Sequence, residues 1–290
     1  MPASYHNLDW PQPIDWRHPL NRGLRGWWLA APGRASGVCW MDLTANRVGT
    51  LTNMTPHSDW VSANRPGASK LCLDFDGTND FVQFADSSIF DPGGQATWSL
   101  WFWTNTAQIS RPIWMQDVAS GKTFSTYKWI AGYVSGSSTT VSSYVRVGGT
   151  AYAASATTTL LGRWTHVVTT FDRTVGSARL KTYVNGTLAA SADAADGDID
   201  SGGDCELGRW EGNASTAFTG RVADLQLWHR ALSAAEVAQL YRESLAGYPT
   251  MLRRRRPVAK APAVAAGIIY TQLERGIRGL NRGLCMGTRG

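Results

Sequence analysis

The sequence predicts an all-β chain: an antiparallel two-sheet sandwich closed by one short C-terminal helix and flanked by extended arms at both ends. Three observations carry this reading. Short runs rich in aromatic and β-branched residues recur through the middle of the chain, turn formers such as FDGTND, VNG and DSGGD separate them, and one stretch alone has helical periodicity. A parallel sheet would instead alternate strands with helices. Hydrophobic residues make up 43% and charged residues 17%, with 14 Trp and 30 Gly, a globular composition with many turns rather than a disordered one.

Residues 1–20 carry Tyr5, Trp10, Pro11, Pro13, Trp16 and Pro19 without periodicity. They read as an extended arm that lays aromatic rings on a surface, either its own domain's or a partner's. Residues 21–248 form the sandwich. Strand candidates follow at 23–30, 71–75, 81–84, 97–103, 164–171, 178–184 and 221–228. In TWSLWFW, Trp98, Leu100 and Phe102 point to one side, and Thr97, Ser99, Trp101 and Trp103 to the other, so the two Trp beside Thr and Ser are expected to be partly exposed. Asn185-Gly186 suits a two-residue hairpin loop, which needs positive φ at both positions. In LSAAEVAQLY, Ser233 and Glu236 have capping-box spacing, with Val237, Leu240 and Tyr241 on one face, and the helix stops near Gly247. Residues 249–290 are a basic linker and tail.

Several of these segments together resemble the laminin-G-like, concanavalin A-like jelly-roll domains. GLRGWWL, MDLTANRVGTLTN, LDFDGTNDFVQF, TWSLWFW, RWTHVVTTFD, LKTYVNGTLAA and FTGRVADLQLWHRALSAAEVAQLY stand in that family's order. The resemblance implies an antiparallel two-sheet jelly-roll sandwich across residues 22–245.

Relatives of this fold include glycoside hydrolases, which need two carboxylates flanking the glycosidic bond. The five Glu are Glu206, Glu211, Glu236, Glu243 and Glu274. The first two are expected to flank a turn, the next two to lie on or just past the helix, and none to share a strand with a second acid two or four residues away. His166 inside WTHVV reads as a structural histidine, and His229 as part of the turn into the helix. The chain is therefore expected not to be an enzyme.

The resemblance also implies calcium. Asp42 and Asn46 in DLTANRVG match the family's turn, with Thr44-Ala45 in place of its Ser-Gly, and Asp224 matches the acid of its last strand. A hard cation needs several oxygens, which two carboxylates and turn carbonyls would supply. The alternative is that Asp42 and Asn46 cap a turn and Asp224 bonds neighbouring backbone. No other cofactor is required. For carbohydrate, aromatic platforms beside polar groups are needed, and Trp101, Trp103, Trp129, Tyr133 and Trp210 are the candidates.

The basic character belongs to the tail. Residues 251–290 hold nine Lys or Arg and one acid, against 19 basic and 21 acidic residues before them. Arg253, Arg254, Arg255 and Arg256 run into a Pro/Ala linker, then IIYTQL offers a strand (Ile268, Ile269, Tyr270, Leu273), followed by Arg275, Arg278 and Arg282. Leu20-Asn21-Arg22-Gly23-Leu24 is repeated as residues 280–284. Cys39, Cys72, Cys205 and Cys285 have no metal or redox spacing and read as four thiols. The first residues lack an apolar leader, and no run reaches membrane-spanning length.

A lectin-like body with long, unlike ends suits a structural subunit of a bacteriophage virion, made in the host cytoplasm and then placed on the virion surface. Its partners would be other virion proteins or further copies of itself, with IIYTQL adding to a partner's sheet edge and the arginines meeting an acidic patch. The alternative is a carbohydrate-binding module that recognises a cell-surface glycan. Nucleic-acid binding by the tail is the weakest reading, because Tyr270 is its one aromatic residue and base stacking is poor.

Overall fold

The computed structural model describes residues 14–252 save 31–34, 37, 46, 65–70, 109–110, 118–126 and 211–213. The strands in chain order are β1 (Leu24–Trp28), β2 (Ala35–Ser36), β3 (Cys39–Met41), β4 (Val48–Thr52), β5 (Trp60–Ser62), β6 (Leu71–Asp76), β7 (Phe81–Phe84), β8 (Gln95–Trp103) and β9 (Arg111–Asp117). They continue as β10 (Tyr127–Ser135), β11 (Thr140–Val147), β12 (Thr150–Thr157), β13 (Thr165–Asp172), β14 (Leu180–Val184), β15 (Thr187–Ala192), β16 (Cys205–Leu207) and β17 (Thr219–Trp228). A one-turn helix α1 (Pro56–Asp59) and a longer helix α2 (Ala234–Ala246) complete the set.

Two sheets result. One has eight strands in the order β15-β14-β13-β8-β17-β6-β5, with β1 also on β17. The other has nine, in the order β12-β11-β10-β9-β16-β7-β4-β3-β2. Their inner faces enclose an aromatic core. Trp98 and Trp129 meet at 4.8 Å, Trp114 stands edge-on to Trp129 at 5.2 Å, and Trp28 packs against Phe84, Phe90 and Trp114. Each such pair adds about 0.5–1.5 kcal/mol beyond the area it buries. A polar tie crosses this core: Thr182 Oγ1 donates to Ala154 O at 2.7 Å and can accept from Ser143 Oγ at 2.8 Å, and Ser143 also meets Thr169.

Locally encoded elements form as expected. Ser233 and Glu236 close a reciprocal capping box on α2, and Gly247 ends it in the left-handed conformation at φ 87°. Asn185 and Gly186 take φ 50° and 81° in the β14–β15 hairpin. The alternation in β8 also holds, with Trp98, Leu100 and Phe102 in the core.

Two expectations are corrected. Trp101 is 2% exposed, because α2 lies over the outer face of the eight-stranded sheet: the indole stacks on Tyr241 and donates to Ser244 Oγ. Cys39 is disulfide-bonded, so the chain does not carry four thiols, while Cys72 and Cys205 are buried thiols. Distance along the sequence does not prevent such a bond, since only the spatial approach of two Cβ atoms matters. Among the described residues, no helix is long and apolar enough to cross a membrane.

The two ends of the sandwich meet. Ile14 forms an antiparallel bridge with Leu252, and Asp15 N donates to Met251 O at 2.9 Å. The Asn21 amide donates to both Asp15 O and Met251 O, and Trp228 Nε1 donates to Leu20 O. Ile14, Leu20, Met251 and Leu252 join Trp27, Leu240 and Tyr248 in an apolar layer under α2.

Candidate functional site

The outer face of the nine-stranded sheet gathers the chemistry. Strand alternation turns Trp129, Ala131 and Val134 of β10 inward, and bulges in its pairing with β9 and β11 bring Tyr127, Ile130 and Tyr133 to the outer side. Register then sets Tyr133 opposite Ser142 and Ile130 opposite Tyr144 and Met115. Trp210, just past β16, closes the group: it lies 6.2 Å from Tyr133 and 6.0 Å from Tyr127. Tyr133 and Tyr144 stand edge-on at 5.3 Å.

Polar groups rim these rings. The Arg146 guanidinium sits 5.1 Å over the Tyr127 ring and donates to Tyr127 O. Ser142 donates to Ser155 at 2.8 Å. Burial pushes the Tyr127 phenol up to about 12, against the opposing pull of Arg146, and raises Tyr144 as well, so both hydroxyls stay protonated at neutral pH.

Of the five expected sugar platforms, the structure brings together Tyr133 and Trp210, each 8% exposed. The other three are dispersed. Trp129 is in the core, donating to Phe90 O, and Trp101 lies under α2. Trp103 carries the Arg221 guanidinium on its ring, and that arginine is paired with Asp74. Ring type alone could not separate these cases, because burial depends on which sheet face a residue occupies and what lies over it.

Of the acids, Glu206 lies on β16 just ahead of the bend at residues 208–209 and is 2% exposed, and Asp204 stands two residues before it, outside the strand; Glu211 lies outside the described residues. Both carboxylates are engaged. Arg209 holds Glu206 with two nitrogens at 3.0 and 3.2 Å, and its guanidinium covers the Phe81 ring. Asp204 accepts from Gln83 Nε2 and Asp86 N, both at 2.9 Å. The sequence signal, D-C-E ahead of an arginine, was available.

His166 is buried against both Trp101 and Tyr241, with Nε2 2.8 Å from Ser99 Oγ. His229 meets Ile89 O at 2.7 Å, and burial lowers its pKa.

Asp42 does not fit the calcium role that the resemblance implies. Its fully buried carboxylate accepts from Trp27 N at 2.8 Å, Thr44 N at 2.7 Å, Thr44 Oγ1 at 2.6 Å, Ala45 N at 3.1 Å and Arg47 Nη1 at 2.9 Å. Five donors, one of them cationic, occupy the lone pairs that a cation would need. Asp224 is fully buried at φ 54° in the bulge of β17 and accepts from the Tyr248 hydroxyl at 3.3 Å. Among the described residues no group of three or more His, Cys, Asp or Glu is arranged to hold a metal ion. Asn46 lies outside the described residues, as do Arg253 to Arg256, Ile268, Ile269, Tyr270, Leu273, Arg275, Arg278 and Arg282.

Comparison with known proteins gives one family. The model of the concanavalin A-like lectin/glucanases superfamily, Laminin_G_3, matches residues 76–238. Among solved structures, the chain is similar to Trypanosoma rangeli sialidase in complex with sialic acid, with a TM-score of 0.54 and 13% identity over 77% of this chain and 33% of that one. It is also similar to the botulinum neurotoxin serotype G binding domain, with a TM-score of 0.50 and 13% identity over 75% of this chain and 50% of that one. The chain thus spans a third to a half of these structures. No curated protein matches it.

Proposed function

This chain belongs to the concanavalin A-like lectin/glucanases superfamily, and we propose that it is a non-enzymatic assembly subunit of a bacteriophage virion, displaying a lectin-like sandwich held by its two ends. The observation that supports this most is the Ile14–Leu252 bridge. It sets Ile14 and Leu252 side by side, where the N-terminal arm and the basic tail begin. Residues 251–290 carry an excess of positive charge that suits an acidic partner surface. The carboxylates of Glu206 and Asp204 favour a non-catalytic reading, because both oxygens of each already accept from a protein donor.

The test compares the full chain with one ending at Leu252 by size-exclusion chromatography with light scattering. Met251 and Leu252 are buried, so a cut before them would damage the fold itself. Oligomers formed by the full chain alone support an anchoring tail. Two identical monomers overturn the assembly reading.

The aromatic cluster around Tyr133 and Trp210 favours a second reading, a carbohydrate-binding module. Glycan-array binding that Trp210→Ala abolishes would support it; an array without signal would remove it.

A further inference from the structure

The nine-stranded sheet ends in an open edge. β12 pairs with β11 along its whole length, from Thr150 opposite Val147 to Thr157 opposite Thr140, without a bulge, and among the described residues no strand lies on its other side. Beyond that ladder, the one bond to its backbone among the described residues is from Thr182 Oγ1 to Ala154 O. The outward peptide groups of such a strand are a template for a further one. Its sequence, TAYAASAT, has neither charge nor proline, the devices that keep an edge from pairing. The other edges are blunted: β15 carries a bulge between the partners of Thr182 and Tyr183, and β2 and β5 have two and three residues.

An acidic stretch stands at one end of this edge. Residues 193–200, DAADGDID, hold four Asp and no Lys or Arg. Ile199 bridges Val147, and Asp200 accepts from Gly148 N and Gly149 N, so the stretch reaches the start of β12. Asp193 and Asp198 each meet one arginine yet keep side chains 65% and 64% exposed. Asp196 is exposed and has no ion pair among the described residues. The other end of β12 runs into TTLLGR, which has no acid.

We propose that β12 takes residues 268–273, IIYTQL, of a neighbouring copy as a tenth, antiparallel strand. Charge sets the polarity. An antiparallel segment passes from Thr157 toward Thr150, so Arg275, Arg278 and Arg282 arrive at the acidic stretch; a parallel one would bring them to TTLLGR. Antiparallel addition also continues the pattern of this sheet, in which β9, β10, β11 and β12 already pair that way. Alternation sets Ile269 and Leu273 on one face of the new strand. At this end the core closes on alanines, Ala154 and Ala156 of β12 and Ala190 and Ala192 of β15, which leaves apolar surface for larger side chains to cover. Sixteen residues lead from Leu252 to Ile268, a reach of at most about 55 Å. The proposal rests on the assembly reading and names the tail's partner as the sandwich of another copy.

The experiment is hydrogen exchange with mass spectrometry on the full chain, at a dilution where light scattering finds monomer and a concentration where it finds oligomer. Assembly is expected to slow exchange within Thr150–Thr157 at least about tenfold. Thr271→Pro changes only the tail and should abolish both the protection and the oligomer. Asp196→Lys should weaken association about threefold or more, and adding Arg275→Glu should restore it. Oligomers that form without protection of β12 overturn this proposal and leave the assembly reading standing, whereas monomers at every concentration overturn both. Protection equal in monomer and oligomer places the segment on its own sandwich and overturns exchange between copies. Association indifferent to Thr271→Pro or to Asp196→Lys also overturns it.

Discussion

Replacing Asp42 with alanine tests the account of its carboxylate most directly. The side chain ties the sheets together: it accepts from Trp27 N on β1 of the eight-stranded sheet while capping the turn between β3 and β4 of the nine-stranded one. Leu43 N reinforces the tie by donating to Trp27 O at 2.8 Å. Asp42→Ala leaves the Trp27, Thr44 and Ala45 amides without this acceptor and strips Arg47 of its ion-pair partner, though Arg47 still donates to Arg25 O. Arg47 is 34% exposed and recovers much of its loss in water, so the orphaned amides dominate. The expected cost is about 2–4 kcal/mol. For a domain of this size that corresponds to a fall in melting temperature of about 4–16 °C. Asp42→Asn keeps an acceptor for the amides but turns an N–H toward other donors, and should lie between wild type and alanine. Melting is followed by circular dichroism, with and without added calcium. Because the carboxylate is saturated by donors, calcium should leave the wild-type melting temperature unchanged. Two results would refute the reasoning: a loss below about 1 kcal/mol in Asp42→Ala, or a calcium-dependent rise in wild type that the variant lacks.

Asp80 predicts a pH effect of definite sign. Burial, partly offset by the Asp76 backbone N–H and reinforced by the charges of Asp76 and Asp59, raises its pKa to about 6. A raised folded value means that protonation stabilises the fold, so this contribution is present in acid and lost as pH rises through about 6. Asp80→Asn should therefore gain stability relative to wild type between pH 4 and pH 7 in urea titrations, and a constant difference would contradict it. Gly220 is the second case: its φ is 144°, and a Cβ there would lie 2.2 Å from the Trp103 carbonyl oxygen on the paired strand. Gly220→Ala should cost more than about 1 kcal/mol, and an unchanged urea midpoint would show that the β8–β17 pairing can shift.

What the sequence determined by itself is what a few neighbouring residues decide among themselves. The α2 capping box, the Asn185-Gly186 hairpin and the inward face of β8 depend on hydrogen bonds and steric limits within a turn or a strand. The order of such segments also carried the family and the two-sheet fold. The strands β11 and β12 were less legible, because Ser, Thr and Ala at many of their positions give little apolar alternation. The fates of Trp101, Trp129, Tyr133 and Trp210 needed the tertiary structure, since burial is a sum over everything that packs nearby and identical rings end as core, helix seat or face cluster. The same holds for Asp42, whose five donors come from both sheets, and for Asn21, which meets Met251 across 230 residues of chain. Arg17, Arg22 and Arg25 stand close together in the sequence near Trp16, but only the fold shows that they line one cleft with no acid among its described lining residues. Local geometry can be read from local residues, whereas the pairing or solitude of a charge is decided by the whole chain.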